Sequence, residues 1–124
     1  MNYKELDAWK ESIELVQLVY EITQKFPSEE KFGLVSQLRR ASVSVPSNIA
    51  EGCSRSSNKE YKRFVEIALG SILELETQLI IAAKLKLIHS EHPVFKKIEN
   101  TIKIMHGLIR FLKKNSRYTL AFTV

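Results

Sequence analysis

The chain has 124 residues, one cysteine and a formal net charge of +5. This length fits a single domain with its own core, and the lone Cys53 excludes an internal disulfide. The longest purely apolar run, residues 79–83, is far shorter than the roughly 20 residues that a membrane-spanning helix needs. Since no leader-like segment is visible at the start, we expect a soluble, cytoplasmic protein without membrane contact.

The positive charge is concentrated after the first quarter of the chain. Residues 1–30 carry 3 basic and 7 acidic side chains, residues 31–63 carry 7 and 2, and residues 64–124 carry 9 and 5. A basic protein invites a polyanionic partner, but the position of the charge decides whether phosphates can be bound. The position of these charges in space depends on the fold.

Residues 7–25 carry two apolar stripes at helical spacing and are predicted to form the first helix, with Asp7 as its N-cap. One stripe consists of Leu6, Trp9, Ile13, Val16 and Tyr20, and the other of Leu15, Leu18, Val19, Ile22 and Phe26. Two stripes exceed what contact with one core requires. We therefore expect this helix to be buried on two sides, as it would be in a homo-oligomer.

The stretch QLRRASVSVPSNIAEG, residues 37–52, lies in a second predicted helix over residues 29–52, with Ser28 as its cap. Its apolar face recurs at steps of four and three residues and consists of Leu34, Leu38, Ala41, Val45 and Ile49. Pro46 removes a backbone donor, which costs about 3 kcal/mol in a helix interior. We expect a kink near Ser42.

Polar residues of this helix have a structural interpretation. The hydroxyls of Ser42 and Ser44 lie within one turn of the carbonyl that the proline leaves without a donor. Ser44, Asn48 and Glu51 are interpreted as a polar cluster that fixes a neighbouring helix, in preference to a catalytic group. Gly52 is predicted to be the left-handed residue that follows the helix.

Two further helices are predicted over residues 58–87, after a capping box of Ser57 and Glu60, and over residues 93–114, which begin with a proline. Their apolar faces are Tyr61, Val65, Ala68, Ile72, Leu75, Leu79 and Ala82 in the third helix, and Phe95, Ile98, Ile102, Met105, Ile109 and Leu112 in the fourth. Gly70 interrupts the third helix, and close approach of another helix is the simplest explanation.

Four helices joined by short loops predict an all-α fold, an antiparallel up-down-up-down four-helix bundle that forms one domain over residues 1–124. The tail, residues 115–124, is rich in residues that favour extended structure. We expect it either to lie against a neighbour or to be partly disordered.

Several groups of residues in this order resemble the four-helix bundle protein family, which is also called the 23S ribosomal RNA intervening-sequence protein family. They are Leu6–Trp9 with Phe26–Pro27, the stretch 37–52, and Ala68–Ser71 with Leu73–Glu76. Members are similar to the accessory variability protein of diversity-generating retroelements. The resemblance covers the chain to about residue 114 and implies a bundle, a homopentameric ring in a bacterial cytoplasm, and a link to ribosomal RNA.

No constellation of residues predicts catalysis. A di-metal bundle needs Glu-x-x-His pairs, and none occurs. His89 and His92 fall at a turn without further ligands, and Cys53 and His106 lack a catalytic partner signature. No glycine-rich phosphate loop is present. We therefore expect no metal, no cofactor and no enzymatic activity.

A basic surface is the strongest functional prediction. In the predicted topology the end of helix 2, the start of helix 3, the start of helix 1 and the end of helix 4 meet at one pole of the bundle. The cations that converge there are Arg55, Lys59, Lys62, Arg63, Lys113, Lys114 and Arg117. Such a cluster either neutralises phosphates or is only a solvated surface. Arg39 and Arg40 diverge by about 100 degrees around the helix, so one is predicted to be structural and the other available.

Two functions follow from these features. The preferred one is a non-catalytic oligomeric protein that binds structured RNA or other nucleic acid through the pole. Only Tyr61 and Phe64 interleave with its cations and both fit a core stripe, so base stacking is not expected. The alternative is a scaffold for a protein partner such as a reverse transcriptase, bound through the acidic strip Glu11, Glu14 and Glu21 of helix 1.

Overall fold

The computed structural model of the chain describes residues 2–115, in which every regular element is helical. Helix α1 covers Asp7–Thr23, α2 covers Leu34–Cys53, α3 covers Asn58–Lys84 and α4 covers Val94–Lys114. Short 3-10 helices, Tyr3–Glu5 and Ser28–Glu30, precede α1 and α2. The predicted all-α bundle of four helices is confirmed. Within the described residues, no helix has both the length and the apolar composition to cross a membrane.

Side-chain contacts fix the order and direction of the helices. Gln78 donates to Gln37 at 3.3 Å, and the hydroxyls of Ser44 and Ser71 lie 2.8 Å apart. Positions that rise along α2 therefore pair with positions that fall along α3, as in an antiparallel pair. Lys97 near the start of α4 donates to carboxylates on α1, so the first and last helices also lie side by side.

The core is one cluster to which all four helices contribute. Every residue of the stripe predicted for the third helix is buried. In α2 the predicted stripe is buried except for Leu34, which is half-buried, and in α4 half of the predicted stripe is fully buried: Ile98, Met105 and Leu112. Apolar periodicity therefore identified the inner face of each of these helices.

The two stripes predicted for α1 have different environments. The stripe that includes Leu15, Val19 and Ile22 is buried in the core. The other stripe is only partly covered, because Ile13 and Tyr20 are 37% and 40% exposed. The surplus of apolar residues on α1 is therefore real and lies on the outer side of the bundle.

Helix α2 begins later than predicted. Gly33 has φ −107° and ψ −106°, outside the helical region, so the helix starts only at Leu34. Ser28 lies in a 3-10 helix and contacts the carboxylate of Glu29 at 3.4 Å instead of capping α2. The predicted start at residue 29 and the predicted cap are wrong.

The start of α3 at Asn58 and the end of α4 at Lys114 are as predicted, and the remaining helix ends differ from their predictions by one to three residues. Asp7 is the first residue of α1 and Leu6 its N-cap, while α1 ends at Thr23. Pro93 is the N-cap of α4. Helix α3 ends at Lys84, three residues early, because the chain turns there through a left-handed residue.

Both glycine predictions within the helices are wrong, in opposite directions. Gly52 is not left-handed but lies inside α2, where an added Cβ would come within 2.7 Å of Phe64 Cβ and 3.0 Å of Tyr61 Cδ1. Gly70, predicted to mark a close approach, is exposed, and an added Cβ there would meet no atom within 4 Å. The close approach of α2 and α3 is therefore at the end of α2.

Candidate nucleic-acid interface

The predicted basic pole is assembled by contacts at the first turn of α3. Asn58 is fully buried, and its side-chain amide donates to the carbonyl of Asn115 at 3.1 Å. This bond holds the end of α4 against the start of α3. The hydroxyl of Ser57 accepts from the backbone N–H of Glu60 at 3.2 Å, which is one half of the predicted capping box.

Four of the predicted cations are exposed at this pole and form no ion pair within residues 2–115. They are Lys59 and Arg63 on α3, and Lys113 and Lys114 on α4. Cations without a carboxylate partner keep their full charge for a ligand, and this is the arrangement that phosphate binding needs. Arg117 lies outside the described residues.

The other two cations of the predicted pole already have partners. Arg55 pairs with Glu51, and its guanidinium lies 4.6 Å from the centre of the Phe64 ring. Lys62 donates to the carboxylate of Glu66 at 3.1 Å, one turn further along α3. Surface ion pairs of this kind contribute about 0–1 kcal/mol, but they place a negative charge beside the cation. These two residues are therefore weaker candidates for phosphate contact.

Arg110 extends the pole along α4 and was not among the predicted site residues. It is exposed, has no ion pair among the described residues, and lies one turn before Lys114. Further back on the same face, Lys96 and Lys103 both contact Glu99, at 3.7 and 3.6 Å. The positive charge of α4 is therefore least compensated at its C-terminal end. The i, i+4 spacing of Arg110 and Lys114 was the signal in the sequence.

The two arginines of α2 have different surroundings. Arg39 donates from Nε to the hydroxyl of Thr23 at 2.9 Å and stacks 4.4 Å from the centre of the Tyr20 ring. It therefore joins α2 to α1. Arg40 is exposed and has no ion pair within the described part of the chain. Arg40 is thus the more exposed of the two arginines, and ligand binding by either one remains a prediction.

The polar cluster predicted on α2 lies on the seam between α2 and α3. Asn48 donates to the carbonyl of Ser44 at 2.9 Å and to its hydroxyl at 3.0 Å, and that hydroxyl also bonds Ser71. Glu51 does not join this group, because its carboxylate lies near the pole and pairs there with Arg55. The structural interpretation of the other two residues agrees with these contacts.

The hydroxyls near Pro46 have other partners than predicted. Ser42 donates to the carbonyl of Arg39 at 2.9 Å, and Ser44 bonds across the seam to α3. Neither of these bonds reaches the carbonyl that the proline leaves without a donor. The helix continues across Pro46 from Leu34 to Cys53. The predicted kink remains a prediction.

The reactive residues considered in the sequence have local structural contacts. The Nδ1 atoms of His89 and His92 each accept a backbone N–H of the α3–α4 turn at 3.0 Å. Burial, together with the neighbouring thiol of Cys53, raises the pKa of Tyr61. Among residues 2–115 no group of three or more His, Cys, Asp or Glu side chains is placed to hold a metal ion.

The acidic strip predicted on α1 is largely engaged within the chain. Lys97 donates to Glu11 at 2.8 Å and to Glu14 at 3.1 Å. The hydrogen bond from Lys97 and its charge lower the pKa of Glu14. Burial alone would lower the pKa of Lys97, but its bonds to the two carboxylates outweigh burial and raise it. Only Glu21 of the predicted strip has no ion pair among the described residues.

The fold and the pole together define a small helical-bundle protein with exposed cations at the start of α3 and the end of α4. The chain belongs to the family described as 23S rRNA-intervening sequence protein, whose sequence model matches residues 4–111. A solved structure from Bacteroides thetaiotaomicron, described as a protein with unknown function from the S23 ribosomal protein family, is similar with a TM-score of 0.62 and 20% sequence identity. The match covers 85% of this chain and 94% of that one, and at this identity it supports the fold alone. No curated protein matches the chain.

Proposed function

We propose that this chain is a non-catalytic, oligomeric protein that binds structured RNA or other nucleic acid through its basic pole. The observation that carries the proposal is the cluster of exposed cations at the start of α3 and the end of α4: Lys59, Arg63, Arg110, Lys113 and Lys114. These cations come from two segments of the chain that are far apart in sequence. The bond between Asn58 and Asn115 supports their convergence in the folded molecule.

The ligand class follows from the kind of charge present. Each phosphate neutralised by a lysine or arginine releases condensed counterions, so binding of this kind weakens steeply as salt is raised. The family's link to ribosomal RNA makes structured RNA the first ligand to test.

The proposal is tested with labelled RNA and DNA across a salt series, using a variant with four pole cations changed to glutamine: Lys59, Arg63, Lys113 and Lys114. Up to four phosphate contacts are lost, so the plot of log affinity against log salt should become shallower by roughly 3. Arg55 and Lys62 are left unchanged because each already has a carboxylate partner.

A matched control removes the same number of charges at the opposite pole, at Lys25, Lys31, Lys84 and Lys86, all of which are exposed. Both variants have the same net charge, so a general loss of attraction affects them equally. The proposal expects the control to keep the affinity and slope of the original chain. Equal losses in both variants, or no binding by the original chain at low salt, would reject it.

We further propose that the chain forms a closed homo-oligomer, as expected for the family, with a ring of five as the first geometry to test. The support is a groove of ≈ 300 Å³ between α1 and α2, lined by Trp9, Ile13, Val43 and Pro46 among others. Ile13 and Val43 are 37% and 42% exposed. A closed ring would bury this apolar surface on every subunit and repeat the pole, so that weak contacts combine.

The assembly is tested by light scattering of a variant with Ile13 and Val43 changed to glutamate. We expect the mass to fall toward the 14.3 kDa of a single chain. The matched control changes Ile67 and Ile81 to glutamate, which places two carboxylates on the outer face of α3, where these residues are 47% and 45% exposed. A single-chain mass for the original protein at micromolar concentration would contradict the proposal.

The scaffold function is the alternative, and the α1 contacts make it the weaker one. Two of the three carboxylates that would attract a basic protein partner are already bound to Lys97. A pull-down that captures one defined basic protein, together with no RNA binding by the original chain, would place the scaffold function first.

A further inference from the structure

An exposed aromatic ring lies among the cations of the basic pole. Phe111, in the last turn of α4, is 52% exposed. It follows Arg110 directly and lies three residues before Lys114, both of which are exposed. Residues three apart on a helix are neighbours on its surface. The ring is therefore a surface neighbour of Lys114, and it lies within reach of a phosphate backbone that contacts this cation.

The turn before Phe111 leaves room beside the ring. Long and aromatic side chains of a helix lean toward the preceding turn, over the residues at i−3 and i−4. For Phe111 the residue at i−4 is Gly107, which has no side chain. A Cβ added at Gly107 would meet only the guanidinium of Arg110, at 3.8 Å. Gly107 therefore adds no side chain beside the ring, and we call this partly exposed position, flanked by Arg110 and Phe111, the notch.

We propose that this notch is a stacking site for one unpaired base of single-stranded RNA, with the base on the Phe111 ring and its phosphates on Arg110 and Lys114. The inference rests on the proposed nucleic-acid function and names the form of ligand that the pole prefers. A base within a duplex is covered by its neighbours, whereas an unpaired base offers its face to an aromatic ring. No base stacking is expected from the sequence, whereas this proposal assigns base stacking to one residue, Phe111.

Three other aromatic residues near cations do not fit this role. Tyr61 is buried, and the ring of Phe64 lies under the guanidinium of Arg55. Phe32 is more exposed than Phe111, at 89%, but it follows the acidic residues Glu29 and Glu30 at the opposite pole. Lys31 Nζ lies 5.5 Å from the centre of the Phe32 ring, and the two acidic residues offset this charge. Phe32 therefore provides a control for an exposed ring whose surroundings are not predominantly basic.

The test measures binding of a single-stranded RNA of about 12 nucleotides that carries a fluorescent purine analogue, and of a duplex of the same length. Phe111→Leu keeps an apolar side chain but removes the aromatic face. Affinity for the single strand should fall about fivefold or more, since a base stack is worth at least about 1 kcal/mol. The salt slope should stay unchanged because no charge is removed.

Three further variants separate stacking from other roles. Phe111→Tyr should restore binding and the quenching of the fluorescent base. Gly107→Leu should reduce both by filling the notch, although Phe111 is still present. Phe32→Leu should have no effect. The inference is overturned if Phe111→Leu leaves single-strand binding unchanged, weakens duplex binding equally, or changes the mass of the assembly.

Failure of the inference and failure of the proposed function give different results. If the original chain binds single strand and duplex alike and Phe111→Leu alters neither, the stacking site is rejected and the basic pole remains. If the original chain binds no RNA at low salt, the proposed function is rejected, and the stacking site with it.

Discussion

The first turns of α3 pack closely against α2, whereas the outer face of α3 at its middle faces open space. A glycine lies at each of these two places. At its first turns the facing residue is Gly52 of α2, and the two backbones approach so closely that a Cβ would lie 3.2 Å from the Tyr61 carbonyl. At its middle, Gly70 faces open space. Glycine is therefore required at position 52. At position 70 it contributes only the conformational cost of a glycine inside a helix. What a Cβ would contact, and not the residue type, decides its role.

The largest expected effect is at Gly52. Changing it to alanine places a Cβ 2.7 Å from Phe64 Cβ, an atom next to the backbone that cannot turn away. The variant should lower the free energy of unfolding by about 1–3 kcal/mol, because overpacking outweighs the better helix propensity of alanine. Chemical denaturation at one protein concentration measures the difference. A variant as stable as the original chain would mean that α2 and α3 can move apart at this contact with little loss of free energy.

Loss of packing at Gly52 should also affect the basic pole. The same contact sets the position of Tyr61 and Phe64, and the same turns of α3 carry the exposed cations Lys59 and Arg63. Weaker RNA binding by Gly52→Ala, at a temperature where the variant is still folded, is the expected result. Unchanged binding would indicate that α3 and α4 alone hold the pole together.

The fold was predictable because apolar periodicity reports on which face of a helix is buried, and four such helices have few ways to pack. The helix ends were less predictable, since they depend on single backbone conformations. Gly33 delays α2, and the left-handed Lys86 ends α3 early. Neither conformation has a signal in the spacing of apolar residues.

The candidate site was predictable in its location and less so in its membership. Topology alone placed the start of α3 beside the end of α4. Whether a cation is available depends on neighbours one turn away, and this distinguishes Arg55, which pairs with Glu51, from Lys59, which has no such pair among the described residues. The exposure of Phe111 depends on how far the other helices extend beside α4, which the sequence pattern does not give.

Lys86 is the third position of interest, because its backbone conformation favours glycine although the sequence has lysine there. Lys86 has φ 64°, and its N–H and that of Leu87 bond to the carbonyls of Ala83 and Ala82 at 3.0 and 2.9 Å. This is the helix end that usually carries glycine. Lys86→Gly should be more stable than Lys86→Ala by about 1 kcal/mol, because both variants lose the charge but only alanine keeps the strain.

Thermal or chemical denaturation of the two Lys86 variants gives the difference directly. If alanine were the more stable of the two, the left-handed backbone at this position would not persist in solution. The end of α3 would then follow the prediction from its apolar stripe, three residues further on.

The smallest effect is expected at Gly70, where the change to alanine should raise the free energy of unfolding by about 0.5–1 kcal/mol. Alanine is the better helix former by this amount, and its methyl group would meet no atom of the chain within 4 Å. The sign of the change in the free energy of unfolding also tests whether this face of α3 contacts another subunit. If the outer face of α3 were an interface between subunits, the methyl group would enter that interface and the variant would lose stability or assemble to a lower mass. Denaturation together with light scattering separates the two cases. A stabilised variant with unchanged mass leaves the groove between α1 and α2 as the surface for assembly.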